Sequence, residues 1–413
     1  MTDFFDTLET RDSAVREAEQ MAALAVQVAH AQAKAPAYKE LLAGIDATGI
    51  NSRAALAPLP LTRKEDLLAT QRQQLPFGGL VAITPPELNR LFASPGPIYE
   101  PGSQRADFWR FARALYAAGF RRGELLHNCF SYHFTPAGAM VEAGAHALGC
   151  AVFAAGPGQL EGQVQTIADL RPNGYVGTPS FLKMILDKGD ELAVDVSSLT
   201  KALVSGEYLP PSLREACAAR GIGVLQCYAT ADLGVIAYES PAQSGLIIDE
   251  GVIVEIVRPG TGDLLPDGEI GEVVVTTLSP EYPLIRFATG DLSAILPGKS
   301  ACGRTNRRIK GWMGRADQTA KVRGMFVRPS QVAQILIHHP EIGKGRLVVE
   351  RIDEADAMVL KCEPLTTATE NLAANIADTI RQVCNLRGEV VFVPVGTLPN
   401  DGKVIDDLRP VDV

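Results

Sequence analysis

Residues 283–330 read PLIRFATGDLSAILPGKSACGRTNRRIKGWMGRADQTAKVRGMFVRPS and hold three charged turns in one short stretch. A Thr-Gly-Asp turn ends at Asp291, a Gly-Arg-x-Asp turn spans 314–317, and a basic KVRG hairpin spans 321–324. Each turn alone has an ordinary explanation, because Asp after Gly is a common turn residue and Arg beside Gly is usually solvated. Their ordered combination indicates a functional site.

The residues around Asp291 predict its presentation to a ligand. The run TTLSPEYPLIRFATGDLSAIL alternates β-forming residues with a Gly-Asp break, which predicts two strands joined by a tight turn with an exposed carboxylate. A carboxylate in such a place can accept hydrogen bonds from both hydroxyls of a ribose. A plain turn aspartate stays open as the alternative.

Composition limits the class of protein. A chain of 413 residues is longer than one core supports, so two or more domains are expected. The net charge of −9 and the lack of a block of like charges argue against nucleic acid as a partner. The acidic N-terminus lacks a secretory pattern and no apolar run is long enough for a membrane span, so a cytoplasmic protein is predicted. Seven cysteines without a CxxC pair are predicted to be reduced and mostly buried.

The middle of the chain, from about 109 to 234, alternates helical patterns with short apolar strands. This alternation predicts an α/β fold whose mostly parallel sheet is covered by helices. Ligands of such sheets bind beyond the carboxyl ends of the strands. Three strand ends, GTPS at 177–180, SGEY at 205–208 and YATADLG at 228–234, are therefore candidates for nucleotide and acyl binding.

The regions before and after this segment have other sequence patterns. In LAPLPLTRKEDLLATQ, Thr62 and Glu65 have capping-box spacing, which predicts a helix start at Thr62. Residues 235–300 are rich in β-branched residues between Gly-rich turns and predict a small antiparallel β-subdomain. The chain after Asp317 predicts a compact α+β domain.

The order RFATGDL, CGRT, GRAD and KVRG resembles the adenylate-forming superfamily, and within it most closely the phenylacetate-CoA ligases. The resemblance implies a large N-terminal domain at 1–316 and a small mobile lid domain at 317–413. It implies ATP-dependent activation of a carboxylic acid as an acyl-adenylate, followed by transfer to coenzyme A, with Mg²⁺ bound to the ATP.

By this resemblance, several residues near the family motifs have roles in the reaction. Asp291 binds ribose, Arg315 contacts ribose or phosphate, and Arg308 is a further nucleotide contact. Asp317 is the hinge of the lid, and Lys403, in the turn NDGKVIDD, is the mobile catalytic lysine. A solvated surface lysine is the alternative for Lys403.

The resemblance also assigns the strand ends. Tyr228 borders the adenine, with Ala229 and Thr230 beside it, and Asp232 replaces the family's Mg²⁺-binding Glu with a shorter side chain. Ala231 stands where a hydroxyl is expected, and Thr230 is the candidate to replace that hydroxyl. The adenine edge is assigned to three residues of SGEY, namely Ser205, Gly206 and Glu207.

The phosphate loop is the weakest part of the resemblance. The aligned residues 92–104 read FASPGPIYEPGSQ, without a lysine and with prolines that remove amide donors. Ser94, Gly96 and Ser103 are the remaining candidates for phosphate contacts. Binding of the β- and γ-phosphates is therefore in doubt.

The acyl and coenzyme A sides are assigned in the same way. The run NCFSYHFTPAG at 128–138 matches the region of the family's aromatic gate, so Tyr132, Phe134 and Cys227 are candidates for the substrate pocket, with simple core packing as the alternative. An apolar pocket favours an aryl or fatty carboxylate. The hairpin Lys321, Arg323 and Gly324 is assigned to the entry of coenzyme A.

Metal sites other than Mg²⁺ are not expected. Cys302 lacks the second cysteine of a Cys-x-Cys pair, so no structural zinc is predicted. His127, His133 and His146 have no nearby Cys or Asp and are interpreted as core or loop histidines.

Two other functions stay open. One is an adenylating enzyme that transfers its acyl group to a carrier protein or an amine. The other is a nucleotide-binding protein with weak or no ligase activity, which the lost phosphate-loop lysine favours. The identity of the acid and the formation of a homodimer are also left open.

Overall fold

The fold was analysed in a computed structural model that describes residues 4–258, 262–316, 318, 320–323, 325–327, 329–352, 355–398 and 404–409. The chain forms two compact units, Met1–Met313 and Gly314–Val413. Both combine helices with sheets, and the first contains parallel strands, so the predicted α/β class is confirmed. The predicted hinge, Asp317, lies outside the described residues.

The helices, in chain order, are α1 Ser13–Lys34, α2 Pro36–Leu41, α3 Arg53–Leu56, α4 Leu67–Gln73, α5 Phe111–Ala117, α6 Ala137–Leu148, α7 Leu160–Leu170, α8 Pro179–Leu192, α9 Pro211–Ala219, α10 Pro329–His338 and α11 Glu370–Cys384. Their ends follow local sequence. Asp12 caps α1 by accepting hydrogen bonds from the first amides, and Thr178 caps α8 ahead of a proline at its first position. The GTPS segment is therefore a strand-to-helix cap.

The strands are β1 Thr62–Arg63, β2 Leu88–Ser94, β3 Ile98–Ser103, β4 Leu125–Asn128, β5 Ala151–Ala154, β6 Gly174–Gly177, β7 Lys201–Val204, β8 Gly223–Thr230, β9 Gly234–Tyr238, β10 Leu246–Ile248, β11 Val252–Val257, β12 Gly271–Thr277, β13 Phe287–Ser293, β14 Ile295–Leu296, β15 Arg308–Ile309, β16 Ala320–Val322, β17 Met325–Val327, β18 Ile342–Ile352, β19 Ala355–Pro364, β20 Glu389–Phe392 and β21 Ile405–Asp407. Within the described ranges, these strands form five sheets.

The largest sheet has the order β14-β15-β10-β9-β8-β7-β6-β4-β5. Strands β4 to β8 pair in parallel, as the alternation of helices and strands predicts. From β8 onward the pairing is antiparallel, because β8 turns directly back into β9. The turn between them holds Asp232, which places this residue at the carboxyl end of the last parallel strand.

A second sheet of the first unit has the order β1-β13-β12-β11. Asp291 lies inside the continuous strand β13, with a shift of register against β12, so the predicted pair of strands joined by a turn is wrong. Gly290, whose φ is +74°, accommodates the irregularity without ending the strand.

The predicted helix start at Thr62 is also wrong. Thr62 lies in β1 and pairs in parallel with Phe287, and its hydroxyl bonds to the carbonyl of Ile285 and the hydroxyl of Tyr38. Helix α4 begins only at Leu67, after a 3₁₀ turn at Lys64–Asp66. Tertiary pairing with β13 overrides the local capping pattern.

The second unit contains a sheet of order β20-β19-β18-β21 and the hairpin β16–β17. Helices α10 and α11 contribute to its separate core, which includes Val332, Ile335, Leu347, Leu360 and Ile376. This unit has the α+β composition that the sequence predicts, and its mobility stays a prediction.

The N-terminal segment is fixed to a distant loop of the first unit. Glu9 is fully buried and forms an ion pair with Arg304, 295 positions away, at 2.7 Å between Oε1 and Nε. Tyr238 donates a hydrogen bond to the same carboxylate. The seven cysteines are free and buried. Within the described part of the chain, no helix is both long and apolar enough to cross a membrane.

Candidate functional site

Asp291 is oriented by two aromatic side chains. Its Oδ2 accepts a hydrogen bond from the Tyr228 hydroxyl at 2.7 Å, and its Oδ1 accepts one from Trp312 Nε1 at 3.0 Å. Asp291 is 9% exposed, so the predicted exposure of its carboxylate is wrong and the side chain lies at the edge of the interior. A carboxylate has about four acceptor positions. The two bonds therefore orient it in a way compatible with accepting the hydroxyls of a sugar.

Asp232 is paired with a lysine that the sequence analysis did not single out. The Lys64 ammonium binds Oδ2 of Asp232, and the Asp232 side chain is fully buried while that of Lys64 is 30% exposed. Among the described residues, Oδ1 of Asp232 has no hydrogen-bond partner. A buried carboxylate oxygen without a partner is costly unless a ligand or ion completes it.

The turn that carries Asp232 is held by main-chain contacts. Gly234 has a φ of +73°, and a Cβ there would lie 2.7 Å from the Trp109 carbonyl oxygen. The guanidinium of Arg110 donates to the carbonyls of Leu233 and Val235, the latter at 3.1 Å. Glycine is therefore required at 234, because both the backbone angle and the space exclude a side chain.

A third element of the site is the hairpin β2–β3. The Ser94 amide and hydroxyl both donate to the carboxylate of Glu100, the amide at 3.1 Å. Glu100 is 1% exposed. Burial and the nearby Asp232 charge raise the pKa of Glu100 to about 7, although Ser94 and Lys64 act in the opposite direction. Gly96 lies exposed in the hairpin turn.

Electrostatics link these elements into one cluster. Burial opposes the charge on Lys64, but the carboxylates of Asp232, Glu100 and Asp291 outweigh it and raise the pKa of the ammonium. The structure therefore brings together the predicted residues Ser94, Tyr228, Asp232 and Asp291. The hydroxyl of Tyr282, 2% exposed, has no hydrogen-bond partner in the described ranges, and its pKa is raised by burial and then by Asp232 and Glu100.

The predicted adenine-edge residues lie at neighbouring strand ends. Ser205 follows β7, and its hydroxyl donates to the Cys227 carbonyl of β8 at 2.7 Å. Gly206 has a φ of +82°, and Glu207 accepts a hydrogen bond from the Ser180 amide at 3.3 Å. Cys227 is 6% exposed, and burial raises the pKa of its thiol to about 12. This thiol is consequently a packing group and not a nucleophile.

The two residues between Tyr228 and the Asp232 turn complete this strand end. Ala229 pairs with Val235, and the Thr230 hydroxyl accepts a hydrogen bond from the Leu233 amide at 3.2 Å. The Thr230 side chain thus stabilises the turn, and its role as a phosphate contact stays a prediction.

The predicted acyl-pocket aromatics have unlike environments. Asn128 donates to the Tyr132 hydroxyl at 2.7 Å, and the Tyr132 ring packs so closely on Gly138 that a Cβ there would lie 2.7 Å from Cδ2. Phe134 is 68% exposed, and its carbonyl accepts from the amide of Ala93 in β2. The segment that carries both aromatics is thus attached to the hairpin of Ser94.

The remaining predicted residues of the first unit, Arg308 and Ser103, bond to partners outside the cluster. Arg308, 7% exposed, donates to the Pro297 carbonyl at 3.1 Å and to Ser244. Its role as a nucleotide contact stays a prediction, because these bonds use its guanidinium for main-chain support. Ser103 bonds to Glu281 at 3.3 Å.

The second unit holds the other predicted residues. Arg315 is half-buried, Lys321 is exposed, and Arg323 contacts Asp356 through its amide at 3.1 Å and through Nε. Asp317, Gly324 and Lys403 lie outside the described residues. Their roles stay predictions.

Clusters of metal-binding side chains are a separate question from the single carboxylate of Asp232. Within the described ranges, no group of three or more His, Cys, Asp or Glu residues could hold a metal ion. Cys302 is 3.1 Å from the Ser300 hydroxyl, and His127 bonds to Gln163 at 2.9 Å. Both residues are engaged in local contacts of the fold.

Four residues of the site were missed by the sequence analysis, namely Lys64, Glu100, Arg110 and Trp312. The absence of a lysine from residues 92–104 indicates that another cation must serve the phosphates, but the sequence alone does not identify that cation. Trp312 adjoins the GRAD motif, yet nothing in its spacing indicates a bond to Asp291. These contacts depend on tertiary structure.

Comparison with known proteins places the chain in a family. A family model described as AMP-binding enzyme matches residues 107–279. The phenylacetate-coenzyme A ligase of Thermus thermophilus is 33% identical over 362 residues, covering 82% of this chain and 79% of that protein. The enzyme of the same name from Escherichia coli is 29% identical and covers 98% of both chains.

The fold has a counterpart among solved structures. The crystal structure of 2-hydroxyisobutyryl-CoA ligase in complex with 2-HIB-AMP and CoA has a TM-score of 0.79 and 23% identity, covering 98% of this chain and 92% of that one. Fold, site and sequence match together define a protein of the AMP-binding, adenylate-forming class. Within that class the chain belongs to the phenylacetate-CoA ligase family, as its motifs predict.

Proposed function

We propose that the protein is an AMP-forming carboxylate-CoA ligase. A carboxylate oxygen of the acid attacks the α-phosphorus of ATP, and the bond to pyrophosphate breaks, which gives an acyl-adenylate. The sulfur of coenzyme A then attacks the acyl carbon, and AMP leaves. The thioester, AMP and pyrophosphate are the products.

The observation that carries the proposal is the fixed carboxylate of Asp291 beside Tyr228. Two hydrogen bonds hold it in position, and Tyr228 lies two residues before the end of β8, the strand that leads to Asp232. In this arrangement Asp291 accepts the ribose hydroxyls and the Tyr228 ring borders the adenine. Ser205, Gly206 and Glu207 supply the neighbouring edge of the base site.

Lys64 and Asp232 serve the phosphate side. The ammonium of Lys64 is the cation that the lysine-free segment 92–104 lacks, and it stabilises negative charge as pyrophosphate leaves. The unpartnered Oδ1 of Asp232 fits one ligand of Mg²⁺, which binds through one or two carboxylates together with substrate phosphates. Bound Mg²⁺ would neutralise charge on the phosphates.

The two half-reactions need different groups at the same nucleotide. We assign adenylation to Lys403 and thioester formation to the hairpin of Lys321, Arg323 and Gly324. Rotation at Asp317 would exchange these two groups at the nucleotide. Arg315, beside this hinge, contacts the ribose or phosphate. Hinges of this kind are a few residues that absorb large changes of backbone angle.

The substrate is an aryl or fatty carboxylic acid, bound near Tyr132, Phe134 and Cys227. Support comes from the apolar character of these residues and from the family, whose curated relatives are named phenylacetate-coenzyme A ligases. Phenylacetate is accordingly the first acid to test.

A direct assay tests the proposed function. Purified protein with ATP, Mg²⁺, phenylacetate and coenzyme A should release AMP only when all four are present. Asp291→Asn should reduce this turnover about tenfold or more, because a charge-assisted hydrogen bond contributes about 1.5–3 kcal/mol. AMP binding without turnover across a panel of acids and acceptors would contradict a ligase.

A second assay separates the half-reactions. Lys403→Ala should abolish exchange of pyrophosphate into ATP but retain thioester formation from a supplied acyl-adenylate. Equal loss of both activities would argue against the exchange of groups between the two steps.

One observation favours a second candidate, a nucleotide-binding protein with weak adenylation. Ser94, the predicted phosphate contact, already bonds to Glu100, and the segment around it has no lysine. Calorimetry with AMP and ATP, combined with the turnover assay, distinguishes this candidate from an active ligase.

A further inference from the structure

Glu100 makes the contacts expected of a bound phosphate. Phosphate oxygens and carboxylate oxygens accept the same donors, and helix or loop amides and hydroxyls are the usual partners of both. Here the amide and the hydroxyl of Ser94 both donate to the Glu100 carboxylate. The donors that the hairpin offers are thus engaged by a side chain of the same hairpin.

The position of Glu100 connects it to the nucleotide site. It lies on β3, directly paired with Phe92 of β2, and its charge acts on both Asp232 and Lys64. It is 1% exposed, so a polyphosphate at this place would face a poorly solvated acidic group. Like charges brought together at a buried site cost several kcal/mol.

Lys64 offsets only part of this negative charge. Lys64 is in direct contact with Asp232, and residues 92–104 contain no lysine. In the proposed nucleotide site, the α-phosphate would lie near Asp232 and Lys64, and the terminal phosphates of ATP would need the donors of Ser94.

We infer that Glu100 is an internal substitute for the terminal phosphates, so that the site prefers nucleoside monophosphates and acyl-adenylates to nucleoside triphosphates. ATP binds fully only when the Glu100 carboxylate gives up the donors of Ser94. The inference rests on the proposed nucleotide site and identifies Glu100 as a residue that determines specificity for the number of phosphates.

Binding of AMP, ADP and ATP should be measured by calorimetry at one Mg²⁺ concentration, with wild-type protein, Glu100→Gln and Glu100→Ala. Wild type should bind AMP more tightly than ATP. Both variants should bind ATP about tenfold more tightly than wild type does, with AMP affinity changed by less than about threefold. Glu100→Ala should show the larger gain, because it also frees the Ser94 hydroxyl and amide.

Two controls separate specificity from general structural effects. Glu124→Gln is the matched variant, because Glu124 also accepts a backbone amide, from Arg121 at 2.8 Å, and pairs with a lysine, Lys201. It should leave all three affinities unchanged. Ser94→Ala in the Glu100→Ala background should lose much of the gain for ATP, which a merely structural role of Glu100 does not predict.

The outcomes distinguish this inference from the proposed function. The inference is overturned if both Glu100 variants keep the wild-type ratio of ATP to AMP affinity. If Asp291→Asn still weakens AMP binding in that case, the proposed nucleotide site is retained. Absence of binding of all three nucleotides to wild type and to both Glu100 variants contradicts both.

Discussion

The hydroxyl of Tyr228 donates a 2.7 Å hydrogen bond to Oδ2 of Asp291, across 63 positions of sequence. The bond joins the end of a strand in the nine-stranded sheet to the middle of a strand in the four-stranded sheet. The two sheets thus meet at the proposed ribose site, and the orientation of Asp291 depends on both.

Removal of this hydroxyl should weaken nucleotide binding modestly. Tyr228→Phe should raise the dissociation constant for AMP about three- to tenfold, because Asp291 keeps its hydrogen bond from Trp312 and loses only one bond that orients it, an effect of about 0.5–1.5 kcal/mol. Isothermal titration calorimetry measures the change. The control Tyr238→Phe loses a bond to Glu9 far along the chain and should lower stability while AMP affinity is retained. Equal affinity losses in both variants would argue against a specific role for Tyr228.

Lys64 should matter for both stability and adenylation. Lys64→Met leaves the Asp232 charge buried without its ion pair, so the free energy of unfolding should fall by about 1–3 kcal/mol. The double variant Lys64→Met/Asp232→Asn should recover part of this loss but not the rate of adenylation. Urea unfolding and pyrophosphate exchange are the two measurements.

The matched control for Lys64 is Lys201→Met, which breaks the Lys201–Glu124 pair within the same unit. It should lower stability and leave the rate of adenylation per folded molecule unchanged. An adenylation rate that Lys64→Met does not alter would remove this lysine from the phosphate site.

Glu100 should make stability depend on pH. Its folded pKa is about 7 against an ordinary value of 4.5, so the folded chain binds the proton more tightly than the unfolded chain does. The stability of wild type relative to Glu100→Gln should therefore fall as pH rises from about 4.5 to about 7 and then level off. The change in relative stability across this range should be about 1–3 kcal/mol. Urea unfolding of both proteins between about pH 5 and pH 8 tests this, and a difference independent of pH would contradict it.

The turn at Asp232 should not tolerate a side chain at 234. Gly234→Ala combines a positive φ with a contact of 2.7 Å to a backbone oxygen, so it should destabilise the protein by about 3 kcal/mol or more and reduce adenylation. Gly221→Ala is the matched control, because Gly221 has a φ of +77° with nothing within 4 Å of the added carbon. It should cost only about 1–2 kcal/mol. Thermal unfolding of both variants gives the comparison, and similar losses would show that the contact with Trp109 is relieved easily.

The sequence predicts the local parts of the site better than the contacts between them. Tyr228 and Asp232 are predicted correctly at the end of a parallel strand, because the alternation of helices and strands is a local pattern that extends over many residues. The predicted strand break at Asp291 is wrong, because a Gly-Asp pair occurs both in turns and in strand irregularities. The structure distinguishes these through the pairing of β13 with β12.

Lys64, the cation of the site, shows more clearly what local sequence patterns cannot predict. Lys64 lies in a segment in which Thr62 and Glu65 have the spacing of a helix start. In the structure, however, Thr62 pairs with β13, which lies more than 200 positions later in the chain. Only that pairing brings the lysine to Asp232. Neither composition nor spacing contains this information, since the partner strand is distant in the chain.

The ion pair between Glu9 and Arg304 has a consequence for biosynthesis. Its two members are 295 positions apart, so the pair cannot form until the ribosome has completed nearly all of the first unit. Until then the Glu9 carboxylate, which ends fully buried, lacks its cation, although Arg113 and Tyr238, the partners of Asp6 and Glu9, are already synthesised. Formation of this buried ion pair is thus a late step of folding, and a nascent chain stalled before residue 304 would leave the Glu9 carboxylate without its cation.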